Sequence, residues 1–254
     1  MQIRDAIIPA AGNNKRLEGL RLTRLLPKSM IPIVGKPVLE YIVRFLVNNG
    51  IRNVYIIVNN KKESIMSYFG DGTDFGISID YIVQENPNGI ATAIDLAKDF
   101  VKGNFICILG DTFVVKQNIS NMIETSYDKK AVAVQALTAE SDVWRIKQSC
   151  NVVIDDMNRI IDIIEKPQNV QNNIRGSGIY VFNQEIFDYI SRTVKTSTRG
   201  EVEITDTIKL VAQSGRAYGE WLRPGDININ VINDIVLATQ MALQEVENVS
   251  KPKQ

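Results

Sequence analysis

The feature that most constrains this chain is an alternation between two hydrophobic periods. Short apolar runs are followed, again and again, by stretches whose apolar residues recur at helical spacing. AIIPA (6–10) reads as a buried strand, and PVLEYIVRFLVNNG (37–50) as a helix stopped by Gly50. NVYIIV (53–58) is a second strand, KESIMSYFG (62–70) a short helix closed by glycine, and ISIDYIV (77–83) a third strand. GIATAIDLAKDFV (89–101) reads as a helix stopping at Gly103, and FICIL (105–109) as a strand that runs into Gly110 and Asp111. Strand-helix alternation of this kind predicts an α/β fold of parallel strands with helices on both faces. Such sheets bind ligands in the crevice beyond the carboxyl ends of their strands. The loop after residues 6–10 and the carboxylate of Asp111 both fall there.

Beyond about residue 130 the rhythm changes. AVAVQAL (131–137), NVVID (151–155), IIDII (160–164) and GIYVF (178–182) are mostly strands, expected to extend the sheet in mixed sense and build the far wall of the crevice. EITDTIKLVAQSG (203–215) and VINDIVLATQMALQEV (231–246) return to helix, and residues 249–254 read as a solvated tail. No repeat or Pro/Ser-rich linker interrupts the chain. The expectation is therefore one domain over 1–248, without an appended second domain.

Composition narrows the chemistry. The chain has no histidine, which removes Ser-His and Cys-His nucleophiles and His-ligated zinc. Its 29 Lys and Arg balance 29 Asp and Glu, so no net positive charge holds nucleic acid. Cys107 and Cys150 form no CxxC, which reads as a reduced, cytoplasmic protein. No apolar stretch reaches the length of a membrane span, and the N-terminus lacks a signal-peptide core.

The segment AAGNNKRLEGLRLTRLLPK (10–28) follows the first strand. A loop in that position offers backbone N–H groups to anions. Gly12 lets the backbone approach a phosphate, while Arg16 supplies a planar fork and Lys28 a mobile point charge. A solvated basic loop would read the same way. It is not a Walker loop, since no GK[ST] follows, nor GxGxxG, since Asn14 stands at the second glycine. Asp111 is placed to hold a divalent cation or simply to make a Gly-Asp turn. Glu165-Lys166-Pro167 puts an acid and a base after a strand, a pair that is commonly surface charge. Gln84 carries donor and acceptor together and suits a base edge or solvent.

Taken in order, these motifs resemble the nucleotide-diphospho-sugar nucleotidyltransferases, most closely their sugar-1-phosphate thymidylyltransferase and uridylyltransferase branch. The family pattern AAGxGxRLxPLTxxxPKxxxPVxxKPxxxY is similar to AAGNNKRLEGLRLTRLLPKSMIPIVGKPVLEY here. QENPNGIATAI (84–94), LGD (109–111), IIEKP (163–167), GSGIYVF (176–182) and EITD (203–206) continue the likeness to about residue 240.

The resemblance implies a Rossmann-like fold with a mixed, mostly parallel sheet. A nucleotide-binding half would span about 1–130 and a sugar-binding half about 131–230, followed by the helix 231–246. It implies that Ala11 and Gly12 wrap a nucleoside triphosphate, that Arg16 braces the leaving pyrophosphate and that Lys28 contacts phosphate. Gln84 would read a pyrimidine imide edge, with Gly89 close to the base. Glu165 would hold sugar hydroxyls and Lys166 the phosphate of a sugar 1-phosphate, glucose 1-phosphate being the expected one. Asp111 would bind Mg2+, with Asn228 where this branch often has a second metal aspartate. Asp226 or Asn230 takes that place if the register shifts. The implied reaction is attack by the sugar phosphate on the α-phosphorus of dTTP or UTP, releasing pyrophosphate. The implied partners are these small molecules, with no nucleic acid and no membrane, and homo-oligomerisation is left open.

The chain departs from the pattern at several places. Asn14 replaces the loop's second glycine, and the segment between Arg16 and Pro27 is two residues longer. SerCysAsnVal places Cys150 at a sugar-contacting glycine, and Gly176 replaces an asparagine. With the neutral Asn228, these departures motivate a second reading, a nucleotide-binding regulatory paralogue.

Overall fold

A computed structural model of the chain describes residues 2–12, 17, 26–60, 62–115, 117–195, 200–223 and 225–250. Its strands are β1 (Asp5–Pro9), β2 (Pro32–Ile33), β3 (Lys36–Pro37), β4 (Asn53–Val58), β5 (Ser78–Val83), β6 (Asn104–Ile108) and β7 (Thr112–Val114). They continue with β8 (Ala133–Ala139), β9 (Cys150–Ile154), β10 (Ile160–Glu165), β11 (Ile174–Asn183), β12 (Ala217–Trp221) and β13 (Asp226–Asn228). The helices are α1 (Val38–Asn48), α2 (Glu63–Phe69), α3 (Ile90–Asp95), α4 (Ser120–Asp128), α5 (Val143–Gln148), α6 (Ile186–Arg192), α7 (Ile204–Gln213) and α8 (Ile232–Ser250).

Nine strands form one sheet, with β10-β9-β11-β6-β1-β4-β5 in order and β8 and β12 branching from β11. The pairings make β1, β4, β5, β6, β8, β9 and β12 run one way, and only β10 and β11 the other. The sheet is mixed but mostly parallel, as the α/β reading required.

Strand side chains alternate between faces, and both faces are covered here. Ala6 and Ile8 pack with Leu39, Ile42 and Leu46 of α1 and Met122 of α4. Ile7, between them, packs in a second core with Ile94 of α3, Ile186 of α6 and Ile208 of α7. This two-sided burial explains why β1, β4 and β6 read as unbroken apolar runs. α1 ends where expected: Gly50 takes φ 85°, and the Ile51 N–H returns to the Leu46 carbonyl at 3.0 Å.

A third, smaller core joins Ile33 and Val38 to Phe113, Ile227, Ile229 and Ala238. It packs α8 against the antiparallel ribbon β7–β13, in which Asn228 pairs with Thr112. This ribbon had no strand reading in the sequence. The helix expected over 89–101 stops at Asp95, because the following bonds (Ala97 N–H to Ile94, Lys98 N–H to Asp95) span three residues rather than four. The last helix runs on to Ser250 rather than ending at 246.

One irregularity positions everything that follows. Along one edge β11 keeps β8 as its partner, with a register shift between Gly176 and Tyr180. Along the other edge it changes partner: Ile179–Asn183 pair with β6, and Arg175 and Gly176 pair with β9. β9 therefore begins just beyond the carboxyl end of β6. The gap between them opens into a cleft.

Candidate active site

The cleft has a volume of about 330 Å³ and lies at the carboxyl ends of β1, β5 and β6. Ala11 and Gly12, at its head, follow directly from β1. The Gly110 N–H donates to the Pro9 carbonyl at 2.9 Å, and a Cβ on Gly110 would stand 2.9 Å from that oxygen. Glycine at 110 is what allows the turns after β1 and β6 to touch, and that contact delivers Asp111 to the cleft. Arg16 lies outside the described residues.

Lys28 comes from a single 3-10 turn behind Pro27 and is largely buried. Its ammonium donates to Asp111 Oδ2 at 2.5 Å and to Asn230 Oδ1 at 3.0 Å. Asn230 is fixed in turn by Asp234, whose carboxylate accepts the N–H groups of Asn230 and Val231 at 2.8 and 2.9 Å, at the start of α8. Asn228 lines the cleft beside them, its Oδ1 accepting from Thr112 Oγ1 at 3.4 Å. Asp226 does not line it. Its fully buried carboxylate accepts from Ser177 Oγ at 2.8 Å and from Arg175 and Thr138 at 3.2 Å. Of the three positions the sequence left open beside Asp111, the cleft holds Asn228 and Asn230.

At the β5 side, buried Gln84 donates from Nε2 to Thr92 Oγ1 at 3.2 Å and to the Gly89 carbonyl at 3.4 Å. Gly89 takes φ 123°, and a Cβ there would collide with the Val202 backbone. That loop is tied down by Ala91 N–H to the Val202 carbonyl (3.1 Å) and Val202 N–H to the Asn88 carbonyl (2.7 Å). Close packing against Val202 thus requires glycine at 89, whatever stands over the cleft.

Across the break in β11, β10 ends in Glu165. Lys166 follows in a left-handed conformation (φ 44°), its N–H held by the Ser149 carbonyl at 2.7 Å and its ammonium 2.9 Å from Glu165 Oε1. Cys150 and Gly176 face each other beneath them. Burial pushes the Cys150 thiol up to about 12, so it is a neutral, non-nucleophilic group. Burial also pushes the Tyr180 phenol well above its usual range, which leaves a neutral hydroxyl in the cleft wall.

Of the described residues given a site role from the sequence, Ala11, Gly12, Lys28, Gln84, Gly89, Asp111, Glu165, Lys166 and Asn228 line one cleft, and the alternative Asp226 does not. Ser29, Tyr180, Glu203 and Thr205 line it too and were given no role. Tyr180 sits inside GSGIYVF, and Glu203 and Thr205 inside EITD, so the motifs carried them without saying what they do. The donors near Asp111 fit magnesium. It takes few protein oxygens and keeps phosphate and water ligands, and one carboxylate with two amide oxygens meets that need. No group of three acidic, Cys or His side chains forms a prebuilt cage among the described residues. No helix among them is long and apolar enough to cross a membrane.

Fold and cleft together define an α/β protein that gathers the cations Lys28 and Lys166 and the carboxylates Asp111 and Glu165 in one cleft beyond the carboxyl ends of its parallel strands. Residues 5–227 match the nucleotidyl transferase family, and the chain belongs to it. It is 34% identical over 247 residues to the low-salt glycan biosynthesis nucleotidyltransferase Agl11 of Haloferax volcanii, covering 94% of this chain and 66% of Agl11. It is 32% identical over 213 residues to the UTP–glucose-1-phosphate uridylyltransferase AglF of the same organism, covering 84% of this chain and 85% of AglF. Several other relatives are longer still, the chain spanning 48–57% of their length. A solved UDP-glucose pyrophosphorylase bound to UDP-glucose shares the fold, with TM-score 0.84, 20% identity and coverage of 96% of this chain and 100% of that one.

Proposed function

We propose that this chain transfers a nucleotidyl group from dTTP or UTP to a sugar 1-phosphate, glucose 1-phosphate first among candidates, and releases pyrophosphate. The observation that carries the reading is the pairing of two charged corners in one cleft. Lys28 and Asp111 stand on one side of the break in β11, and Glu165 and Lys166 on the other. The likeness to AglF supports UTP and glucose 1-phosphate. dTTP stays beside UTP, because a methyl group in a pocket is worth only about 1–3 kcal/mol.

In this reading Ala11, Gly12 and Arg16 hold the triphosphate, and Lys28 leaves Asp111 to meet its oxygens. Gln84 turns its amide to the pyrimidine. Lys166, preset by its left-handed backbone, orients the sugar phosphate for in-line attack on the α-phosphorus, while Glu165 accepts from ring hydroxyls. Asp111, with Asn228, would hold magnesium, which would supply charge neutralisation to the phosphates. No side chain forms a covalent bond; positioning and electrostatics carry the rate. The setting is cytoplasmic and the partners are small molecules.

The test is pyrophosphate release with magnesium across nucleoside triphosphates and hexose 1-phosphates. Release with dTTP or UTP and one sugar phosphate supports the proposal. Tight nucleotide binding with no release from any pair would favour the regulatory paralogue, which the departures at Cys150, Gly176 and Asn228 motivate.

A further inference from the structure

Asn228 and Asn230 reach the cleft on one short segment, between β13 and the first turn of α8. A carboxylate fixes each end of it. Asp226, on β13, accepts from Arg175 Nη2 at 3.2 Å, and Asp234, in the first turn of α8, lies 3.4 Å from Arg145 Nη2. The two arginines meet at Glu140, whose Oε2 is 3.8 Å from Arg175 Nε and 3.7 Å from Arg145 Nη1. Asp226, Arg175, Glu140, Arg145 and Asp234 thus alternate in charge along a chain from β13 through β11, the end of β8 and α5 to α8.

Asp234 divides its two oxygens. Oδ2 caps α8 by accepting the N–H groups of Asn230 and Val231, and Oδ1 faces Arg145. Removing the arginine therefore leaves the cap in place and releases this end of α8 from α5. That end carries Asn230, whose Oδ1 takes a hydrogen bond from Lys28. α5, for its part, ends in Gln148 and leads into Ser149, whose carbonyl holds the Lys166 N–H. Ion pairs so enclosed return little net stability once desolvation is counted, so geometry is what this chain of charges has to offer.

We infer that Arg145 is a positioning residue for nucleotidyl transfer. By bridging α5 to Asp234 it fixes Asn230, and through Asn230 it sets where Lys28 stands relative to the sugar-phosphate corner. Arg145 does not itself line the cleft. This inference rests on the functional reading above.

The experiment compares the wild type, Arg145→Met, Lys28→Ala and the double variant, using the triphosphate and sugar 1-phosphate that the wild type turns over. Each kcat is expressed per nucleotide-binding site counted by titration, so that misfolded molecules do not enter it. In Arg145→Met kcat should fall roughly tenfold, as misplacement of a group far from the chemistry can cause, while the sugar-phosphate KM stays within about twofold. In the Lys28→Ala background the same substitution should lower kcat by less than about twofold, because the group it positions is already gone. A merely structural arginine would cost the same factor in both backgrounds. Arg145→Lys, which keeps a cation beside Asp234, should restore most of the loss. Asn230→Ala leaves the Arg145–Asp234 pair in place and should reproduce the loss by itself, which keeps the inference open to refutation should Arg145→Met fail to fold. An unchanged kcat in Arg145→Met or in Asn230→Ala, equal factors with and without Lys28, or a rise confined to the sugar-phosphate KM would overturn it. A wild type that turns over no pair of substrates overturns the functional reading itself, and the inference with it. The wild-type arm alone separates that failure from the others.

Discussion

The Lys28 ammonium lies 2.5 Å from the Asp111 carboxylate, joining residues 83 apart in sequence at the mouth of the cleft. Charge-assisted pairs of this kind are among the stronger hydrogen bonds, and this one is only partly exposed. It also holds a cation where the proposed mechanism needs a divalent one. Asp111 therefore has two competing positive partners. A triphosphate, by drawing Lys28 away, would leave the Asp111 carboxylate free to hold a divalent cation.

The first prediction follows from that exchange. Asp111→Asn keeps a side chain that can accept from Lys28 but removes the only carboxylate proposed for the metal. Turnover should fall roughly 10²–10³-fold, the scale of losing one transition-state electrostatic contact. Metal-free triphosphate binding should be kept or tightened, since Lys28 is less strongly engaged. Pyrophosphate release and a nucleotide titration without magnesium read the two effects separately. Unaltered turnover would remove Asp111 from the mechanism.

Lys166 offers a test of stability against function. A lysine at φ 44° sits in the region glycine prefers, and such residues cost about 1–3 kcal/mol where the surrounding structure enforces them. Lys166→Gly should relieve that strain, partly offset by the flexibility glycine adds to the unfolded chain. We expect stability in a urea titration to be unchanged or higher by about 1 kcal/mol at most, with sugar-phosphate turnover largely lost. A markedly destabilised variant would mean that the side chain, through Glu165, holds the fold together.

Much of this was legible in the sequence, for identifiable reasons. β1, β4 and β6 are buried on both faces, so their apolar runs had no competing reading. Gly50 and Gly70 closed helices because positive φ is what they provide. The ribbon β7–β13 escaped because each strand has only three residues, too few for a period to show. Its consequence is large, since it carries Asn228 to the cleft. Gly89 was expected beside a base, and its glycine is also required by Val202, a contact 113 residues away that no local pattern encodes.

That contact is itself testable. Gly89→Ala puts a methyl group into the Val202 backbone at a φ that side chains rarely adopt. Overpacking against backbone costs typically about 1–3 kcal/mol, and the conformational strain adds to it. The loop carrying Gly89 also anchors Gln84, so the KM for the nucleotide should rise along with the loss of stability. Thermal unfolding and nucleotide titration on the one variant check both. A variant as stable as wild type would mean that the loop and Val202 do not pack as described.

The last prediction concerns alkaline pH. Burial raises the Cys150 thiol from an ordinary 9.0 to about 12, and it raises Cys107 as well. The folded state therefore keeps both thiols neutral where the unfolded chain would ionise them. Their contribution to stability is fully present below about pH 9 and is lost progressively as pH climbs from there toward the folded values. Tyr180, raised by burial, acts in the same direction from its ordinary 10.0 upward. Urea midpoints should be flat across neutral pH and fall steadily above pH 9, and a thiol reagent at pH 8 should label neither cysteine until denaturant is added. Replacing Cys150 with alanine should remove part of the alkaline slope but leave the neutral plateau in place. Rapid labelling of Cys150 in the native protein would show that its thiol is reachable from the cleft and ionised near neutrality, contrary to the burial that raises it.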